Sequence, residues 1–271
     1  MLESPVSRVA LEPGQVALFA SDMHLCDEEP AIAAYFFAQL KKQLPEVTHL
    51  FLLGDIFESW FGDDGADSIA GELIELLKQL NAQGMTVYVM RGNRDFLLNA
   101  KVSQETSTRQ DFSQRSHSIL LADETVLTAF GTDYLLCHAD QLCTLDSDYQ
   151  AFRQQTRSGH WQNDFLSRSF EERKAIAKRL RNVSKASREA PEQSDSAMMD
   201  SSDVTQEAVE SLMQRYEVWH LIHGHTHRPA DHEFIMKSHA AKRHVLADWS
   251  DHSGGFLKLS ASGLERITLP A

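Results

Sequence analysis

The sequence predicts an α/β fold built on a parallel sheet, with a helical insertion over one end, and three features of the chain predict it. Short β-rich runs alternate with helix-period segments through the first half, a polar cluster closes each run, and a helical stretch interrupts the strands of the second half. Strands alternating with helices argue for crossover units and parallel pairing. In such sheets ligands gather outside the carboxyl ends of the strands, where all the clusters of the first half fall.

Taken in order, residues 16–21 form an apolar run ending in Asp22-Met23-His24. Residues 30–44 carry Ile32, Tyr35, Phe36 and Leu40 at helical spacing, with Pro30 placed to start the helix. Residues 49–53 are a second buried strand, closed by Gly54-Asp55, and residues 68–82 repeat the helical period through Ile69, Leu73, Leu76, Leu77 and Leu80. A third strand, 86–90, ends in Gly92-Asn93-Arg94-Asp95. Residues 100–116 are polar and read as a loop. Strand-like runs return at 119–121, 125–130 and 134–137, the last leading into His138-Ala139-Asp140. Residues 147–187 read as helices, 189–202 as a mobile acidic connection, and Asp203 is placed to cap a helix through Arg215. Strands are expected again at 218–222, followed by Gly224-His225-Thr226-His227, and at 243–249, 255–260 and 264–269. This divides the chain into a core, residues 1–142 and 217–271, and an insertion at residues 143–216.

Composition narrows the class. The 271 residues carry 26 Lys+Arg against 39 Asp+Glu, a formal charge of −13, and 42% are hydrophobic. That is a globular balance, and an acidic total argues against a protein that tracks nucleic-acid phosphates. No apolar run approaches the roughly 18 residues needed to cross a bilayer. The first fifteen residues do not read as a signal peptide, and the three Cys form no C-x-x-C pair, so a reducing cytoplasm is expected. Cys26 and Cys137 read as small buried hydrophobes. One local exception stands out: residues 168–188 hold eight Lys/Arg against Glu171 and Glu172.

The 13 His matter by position. Asp22 with His24, Asp55, Asn93, His138, and His225 with His227 each follow an apolar run. Residues two apart on an extended chain point the same way, so Asp22 and His24 are expected to share an ion, and His225 and His227 likewise. Asp55, alone at its strand end, has two carboxylate oxygens and is the natural bridge between two cations. Mixed N/O donors without thiolate suit Mn, Fe(II), Zn, Co or Ni. Two such ions about 4 Å apart clamp the attacking and leaving oxygens of phosphoryl transfer. His223 is assigned to strand packing.

Asp-x-His, Gly-Asp, Gly-Asn, His and Gly-His-x-His in this order resemble the calcineurin-like metallophosphoesterase superfamily. Longer stretches resemble the UDP-2,3-diacylglucosamine hydrolase family within it: Ser21-Asp22-Met23-His24-Leu25-Cys26, Leu53-Gly54-Asp55-Ile56-Phe57-Glu58, Gly92-Asn93-Arg94-Asp95-Phe96-Leu97-Leu98 and Ile222-His223-Gly224-His225-Thr226-His227-Arg228-Pro229. Residues 140–144 and Tyr149-Gln150-Ala151-Phe152-Arg153 add to the likeness, which spans roughly residues 16–270. The resemblance implies a four-layer αββα sandwich under a helical lid, a pair of Mn ions, and a peripheral enzyme of the inner membrane in lipid A synthesis. Its reaction would release UMP and 2,3-diacylglucosamine 1-phosphate (lipid X) from UDP-2,3-diacylglucosamine, by attack of metal-activated water on the α-phosphorus. By motif, one ion would take Asp22, His24, Asp55 and His227, and the other Asp55, Asn93, His138 and His225. Substrate contacts would fall on Asn93, Arg94, Asp146, Ser184 and His225.

Arg94 also carries a physical argument. Many members of the superfamily have His at this place, which can protonate an alkoxide; Arg cannot act as an acid near neutral pH. It can neutralise phosphate oxygens through its planar fork. Departure of a phosphate needs no proton, so Arg94 fits anhydride cleavage, with a surface pair to Asp95 as the alternative. The basic stretch 168–188 either meets anionic headgroups or is a solvated helix face. Phe165, Leu166, Phe170, Ile176, Leu180 and Val183 either line an acyl slot or pack on the core. Residues 100–110 look like an extra loop, and 188–199 depart from the family's lid: it has Asn and Lys where this chain has Arg188 and Pro191. The rival readings are a phosphodiesterase or nucleotide-sugar pyrophosphatase acting on soluble substrates, a scaffold without catalysis, and a nuclease.

Overall fold

The computed structural model describes residues 5–65, 68–100, 110–188 and 203–269, leaving aside the side chains of residues 6 and 180–188. Strands β2 (Ala17–Ala20), β3 (His49–Leu53) and β4 (Thr86–Met90) run parallel, as the alternation predicted, linked by helices α1 (Pro30–Gln43) and α2 (Ser68–Ala82). The remainder is mixed rather than parallel. Strand β5 (Ile119–Ala129) pairs β4 through Ile119 and Leu120, then continues as the antiparallel partner of β6 (Thr132–Cys137). Phe130 and Gly131, both at positive φ, make the two-residue reversal between them. Strand β7 (His220–His223) lies parallel to β6, followed by β9 (His239–Val245) and the edge strand β8 (Ala230–Met236). Strands β10 (Gly254–Ser260) and β11 (Gly263–Leu269) close the other edge beside β2. Strand β1 (Val6–Leu11) pairs in parallel with β5.

Side-chain alternation shows that this run of strands folds into two stacked layers. Leu18, Leu50, Leu52, Val87 and Val89 face Phe36 and Leu40 of α1 and Leu73 and Leu77 of α2. Their neighbours Phe19, Phe51, Leu53, Tyr88 and Met90 face Leu127, Ala129, Tyr134, Leu136 and Ile222 of the second layer. Phe19, Phe51 and Tyr88 stack across the parallel register, with ring centroids 4.8 and 4.6 Å apart. The outer side of the second layer buries Val126, Leu135, Cys137 and Leu221 against Val209, Leu212 and Met213 of α7 (Gln206–Tyr216). Helix, sheet, sheet, helix is thus the order of layers, and residue alternation along each strand feeds two cores at once.

Three helices follow β6: α4 (Ser147–Thr156), α5 (Gly159–Leu166) and α6 (Phe170–Arg188). The span 143–216 expected as one insertion also contains α7, whose buried face makes it the outer layer of the sandwich. The helix expected from Asp203 is capped instead by Thr205, whose side chain accepts from the Ala208 N–H, while Asp203 pairs with Arg228 at 2.7 Å. The loop expected at 100–116 ends in a short helix, α3 (Phe112–Ser116), closed by a capping box between Asp111 and Gln114. The rest of that loop, at 101–109, and the connection at 189–202 lie outside the described residues. Phe165 is buried in the first core, with Leu166 and Ile176 packed against it. Arg173 of α6 is also buried, donating to the Phe61 carbonyl at 2.5 Å and pairing with Asp64. The side chains of Leu180, Val183 and Ser184 fall outside the described residues.

Candidate metal centre

Five strand ends meet at one place. β2 delivers Asp22 and His24, β3 delivers Asp55, β4 delivers Asn93, β6 delivers His138, and β7 delivers His225 and His227. Asp22, His24 and His227 bring one donor atom each within 4.8 Å of one another, and so do Asp55, His138 and His225. Each pairing reaches across the two layers, since His138, His225 and His227 come from the second sheet layer and Asp22, His24 and Asp55 from the first.

The route to this convergence differs from the extended alternation expected. Asp22, His24, Asp55, His225 and His227 all sit at positive φ, between 47° and 69°. The chain leaves β2, β3 and β7 in left-handed turns, a conformation uncommon for residues other than Gly, Asn, Asp and His. His225 and His227 consequently part company: the first joins Asp55 and His138, the second Asp22 and His24. Gly54, at φ +88°, permits close approach, since a Cβ there would stand 2.6 Å from His138 Nδ1 and 2.7 Å from the Gly92 Cα.

The distances describe two adjoining cradles. His24 Nε2 lies 3.2 Å from His227 Nε2 and 3.9 Å from Asp55 Oδ2. His227 Nε2 lies 3.4 Å from Asp22 Oδ1. On the other side, His138 Nε2 is 3.4 Å from Asp55 Oδ1, and Asn93 Oδ1 is 2.9 Å from His138 Nε2 and 2.7 Å from His225 Nδ1. The two oxygens of Asp55 therefore face different cradles. His138 Nδ1 donates to the Leu53 carbonyl at 3.0 Å, which turns the Nε2 lone pair inward.

Asp22 and Asp55 are both buried, and their ion pairs among the described residues are with His24, His138 and His227. Burial alone would raise the Asp55 carboxyl, yet the positive charge of His138 holds it well below the usual carboxylate range. Burial likewise works against a proton on His138, but Asp55 and Asp22 push its pKa up to about 10. His225 goes the other way, down to about 4, through burial and the neighbouring His138. Two buried carboxylates held ionised among imidazole and amide donors form a donor set that fits divalent cations, which would displace the proton on His138.

A family model for calcineurin-like phosphoesterases matches residues 16–229, the span that holds every one of these donors. The chain belongs to the calcineurin-like phosphoesterase family. Within it, the chain is 41% identical over 247 residues to the UDP-2,3-diacylglucosamine hydrolase of Cellvibrio japonicus, covering 91% of this chain and 96% of that one. It is 40% identical over 253 residues to the UDP-2,3-diacylglucosamine hydrolase of Escherichia coli O81, covering 93% and 98%.

Other residues of this phosphoesterase site were not anticipated. Glu58 Oε2 stands 3.3 Å from His24 Nδ1 and Asp248 Oδ2 3.6 Å from His227 Nδ1, so a carboxylate backs each imidazole of the first cradle. Such partners orient a metal-binding His and raise its basicity. Glu58 stands within the Leu53-Gly54-Asp55-Ile56-Phe57-Glu58 stretch, whereas Asp248 has no local sequence signal. His223 is buried as expected, yet it also supports the site. Arg243 donates to His223 Nε2 at 3.3 Å, leaving Nδ1–H to donate to the Gly224 carbonyl at 2.8 Å, directly before His225.

Arg94 does not pair with Asp95. The Asp95 carboxylate is buried and accepts from the Gly92 and Ile56 N–H groups at 2.6 and 2.7 Å. Arg94 instead gives its backbone N–H to Asp55 Oδ1 at 2.8 Å, and its half-buried guanidinium lies 3.5 Å from Glu58. Asp146 caps α4, accepting from the Tyr149 N–H at 2.9 Å.

Proposed function

We propose that this chain hydrolyses the pyrophosphate bond of UDP-2,3-diacylglucosamine, giving UMP and 2,3-diacylglucosamine 1-phosphate in lipid A biosynthesis. The observation that carries the reading is the double cradle divided by Asp55, set in a chain about 40% identical over nearly its whole length to relatives bearing that enzyme's name. Asp22, His24, Asp55 and His227 would hold one divalent cation, and Asp55, Asn93, His138 and His225 the other. Manganese is the proposed ion on the family pattern; the carboxylate, amide and imidazole donors suit it, as they suit Fe(II), Zn, Co or Ni. Bound there, the cations supply Lewis acidity for the phosphate and for the attacking water.

The protein's own groups supply orientation and charge. The Arg94 backbone is fastened to Asp55, which sets its guanidinium beside the cradles, where it would neutralise non-bridging phosphate oxygens. Asn93 Oδ1 lies between His138 and His225, so it would join both imidazoles on the second cation and stand beside the substrate phosphate. Asp146 and Ser184 are proposed as further substrate contacts on the family pattern; for Asp146 the contact must be compatible with its capping bond. For Arg94→Ala we expect kcat/KM to fall by roughly a hundredfold or more, the scale of losing one charge-stabilising donor. Metal content unchanged from wild type in the same preparation would place the loss on the substrate side.

We further place the protein at the cytoplasmic face of the inner membrane, where a diacylated substrate resides. No described helix is long and apolar enough to cross a membrane. Leu145, just before α4, and Phe152, within it, are exposed, as are Arg168, Lys174, Lys178 and Arg179 on and before α6. Exposed apolar side chains and exposed cations on the helices after β6 suit an interfacial position. The test is UMP release from the diacylated substrate in Mn2+, beside the deacylated compound and UDP-N-acetylglucosamine. Release that EDTA abolishes and that requires the acyl chains supports the reading. Equal rates on the soluble compounds would support a nucleotide-sugar pyrophosphatase, and release undiminished by EDTA would overturn the metal mechanism.

A further inference from the structure

Helix α4 and its C-terminal cap reach three of the four donor positions of the second cradle. Asp140 follows His138 by two residues and is buried, at 2% exposure. Its Oδ2 accepts from Tyr149 OH at 2.7 Å, from Arg153 Nε at 2.7 Å and from Arg157 Nη2 at 3.4 Å, all three residues lying on α4 or at its C-terminal cap. Arg157 Nη2 also donates to the Gly92 carbonyl at 2.9 Å, the peptide that enters Asn93. The Tyr149 ring lies against His225, with centroids 6.3 Å apart and planes 29° apart. His138, Asn93 and His225 are therefore each braced, one residue or two away or by ring contact, by α4. Among the described residues, the first cradle is backed instead by Glu58 and Asp248, which belong to the sandwich.

We infer that Asp140 and Arg157 are positioning residues for the second cation, so that seating of α4 and filling of that cradle are one event. This rests on the dinuclear reading above. Arg157 is the link: one guanidinium nitrogen joins the Asp140 carboxylate to the Gly92 carbonyl, so displacement of α4 withdraws support from the His138 and Asn93 turns together. Arg157 further lies over the Phe96 ring at 5.2 Å, which holds it in that place. A buried carboxylate that accepts from one hydroxyl and two guanidinium groups makes the brace charge-assisted and directional.

The experiment is titration of the metal-free full chain with Mn2+, followed by electron paramagnetic resonance and bound-metal analysis. Wild type is expected to take two Mn per chain and give the exchange-coupled signal of neighbouring ions. Arg157→Gln and Asp140→Asn are expected to keep one site at wild-type affinity, bind the second at least about tenfold more weakly, and show the spectrum of isolated Mn at low loading. Arg157→Lys, which keeps the charge, is expected to recover part of the second-site affinity. Circular dichroism and the retained first site check folding, and if Asp140→Asn fails to fold, Arg157→Gln and Arg157→Lys decide. Two Mn bound with wild-type affinity in folded Arg157→Gln would overturn the inference. A single Mn in wild type would overturn the dinuclear reading itself, and the inference with it.

Discussion

Replacing Asp55 with Asn is expected to slow UMP release by roughly a thousandfold or more, since several kcal/mol of charge stabilisation rest on this one carboxylate. Asn keeps the size and shape of Asp but removes the negative charge and one acceptor oxygen. Both oxygens are committed: Oδ1 faces His138 and accepts the Arg94 N–H, and Oδ2 faces His24. No other carboxylate stands between the cradles among the described residues, so nothing substitutes for the bridge. Bound-metal analysis beside the rate measurement is expected to show fewer than two Mn per chain. Release within tenfold of wild type would show that Asp55 does not join two ions.

Gly92→Ala is expected to cost roughly a hundredfold in activity without replacing any donor residue. A Cβ on Gly92 would lie 2.2 Å from both the backbone N and Oδ1 of Asp55. The first contact is with backbone in the turn that leaves β3, a central strand of its layer, so the turn carrying Asn93 must give way instead. Displacing a positioned group by about 1 Å is worth roughly a hundredfold in rate. The overpacking should also destabilise the fold by about 1–3 kcal/mol. The check is the pair of readouts: a lowered melting temperature and a rate loss of that order. A variant active within threefold of wild type would mean that the two turns are less closely packed than described.

The core of this fold was legible because its strands and its outer helices bury opposite or periodic faces. The run of five buried residues from His49 to Leu53 and the spacing of Ile69, Leu73, Leu77 and Leu80 have few other readings. The donors were legible because each follows such a run. What escaped detection had weaker local signals. β1 holds Arg8 among its apolar residues and lies off the main run of strands, and β8 shows Asp231, His232, Glu233 and Ile235 to solvent. The reversal from β8 to β9 uses Lys237-Ser238 at positive φ, without the Gly or Asn that marks such turns. The capping box of α3 was written in the sequence but lay within a polar stretch. Asp248 behind His227, Arg243 behind His223 and Arg157 behind Gly92 are tertiary meetings that no spacing announces.

The left-handed strand exits set the protein's stability against its chemistry. Non-glycine residues at positive φ are disfavoured relative to an ordinary conformation, less so for Asp and His than for most, and five of the candidate metal-centre positions, two Asp and three His, are held so. Any such cost is drawn from the roughly 5–15 kcal/mol by which a domain outweighs its unfolded state. Glycine would relax every one of these turns and would empty both cradles. The stacked aromatic interior beneath them thus serves as a reserve against which the centre is kept under tension, and selection for a sturdier fold at these positions would move the sequence away from activity.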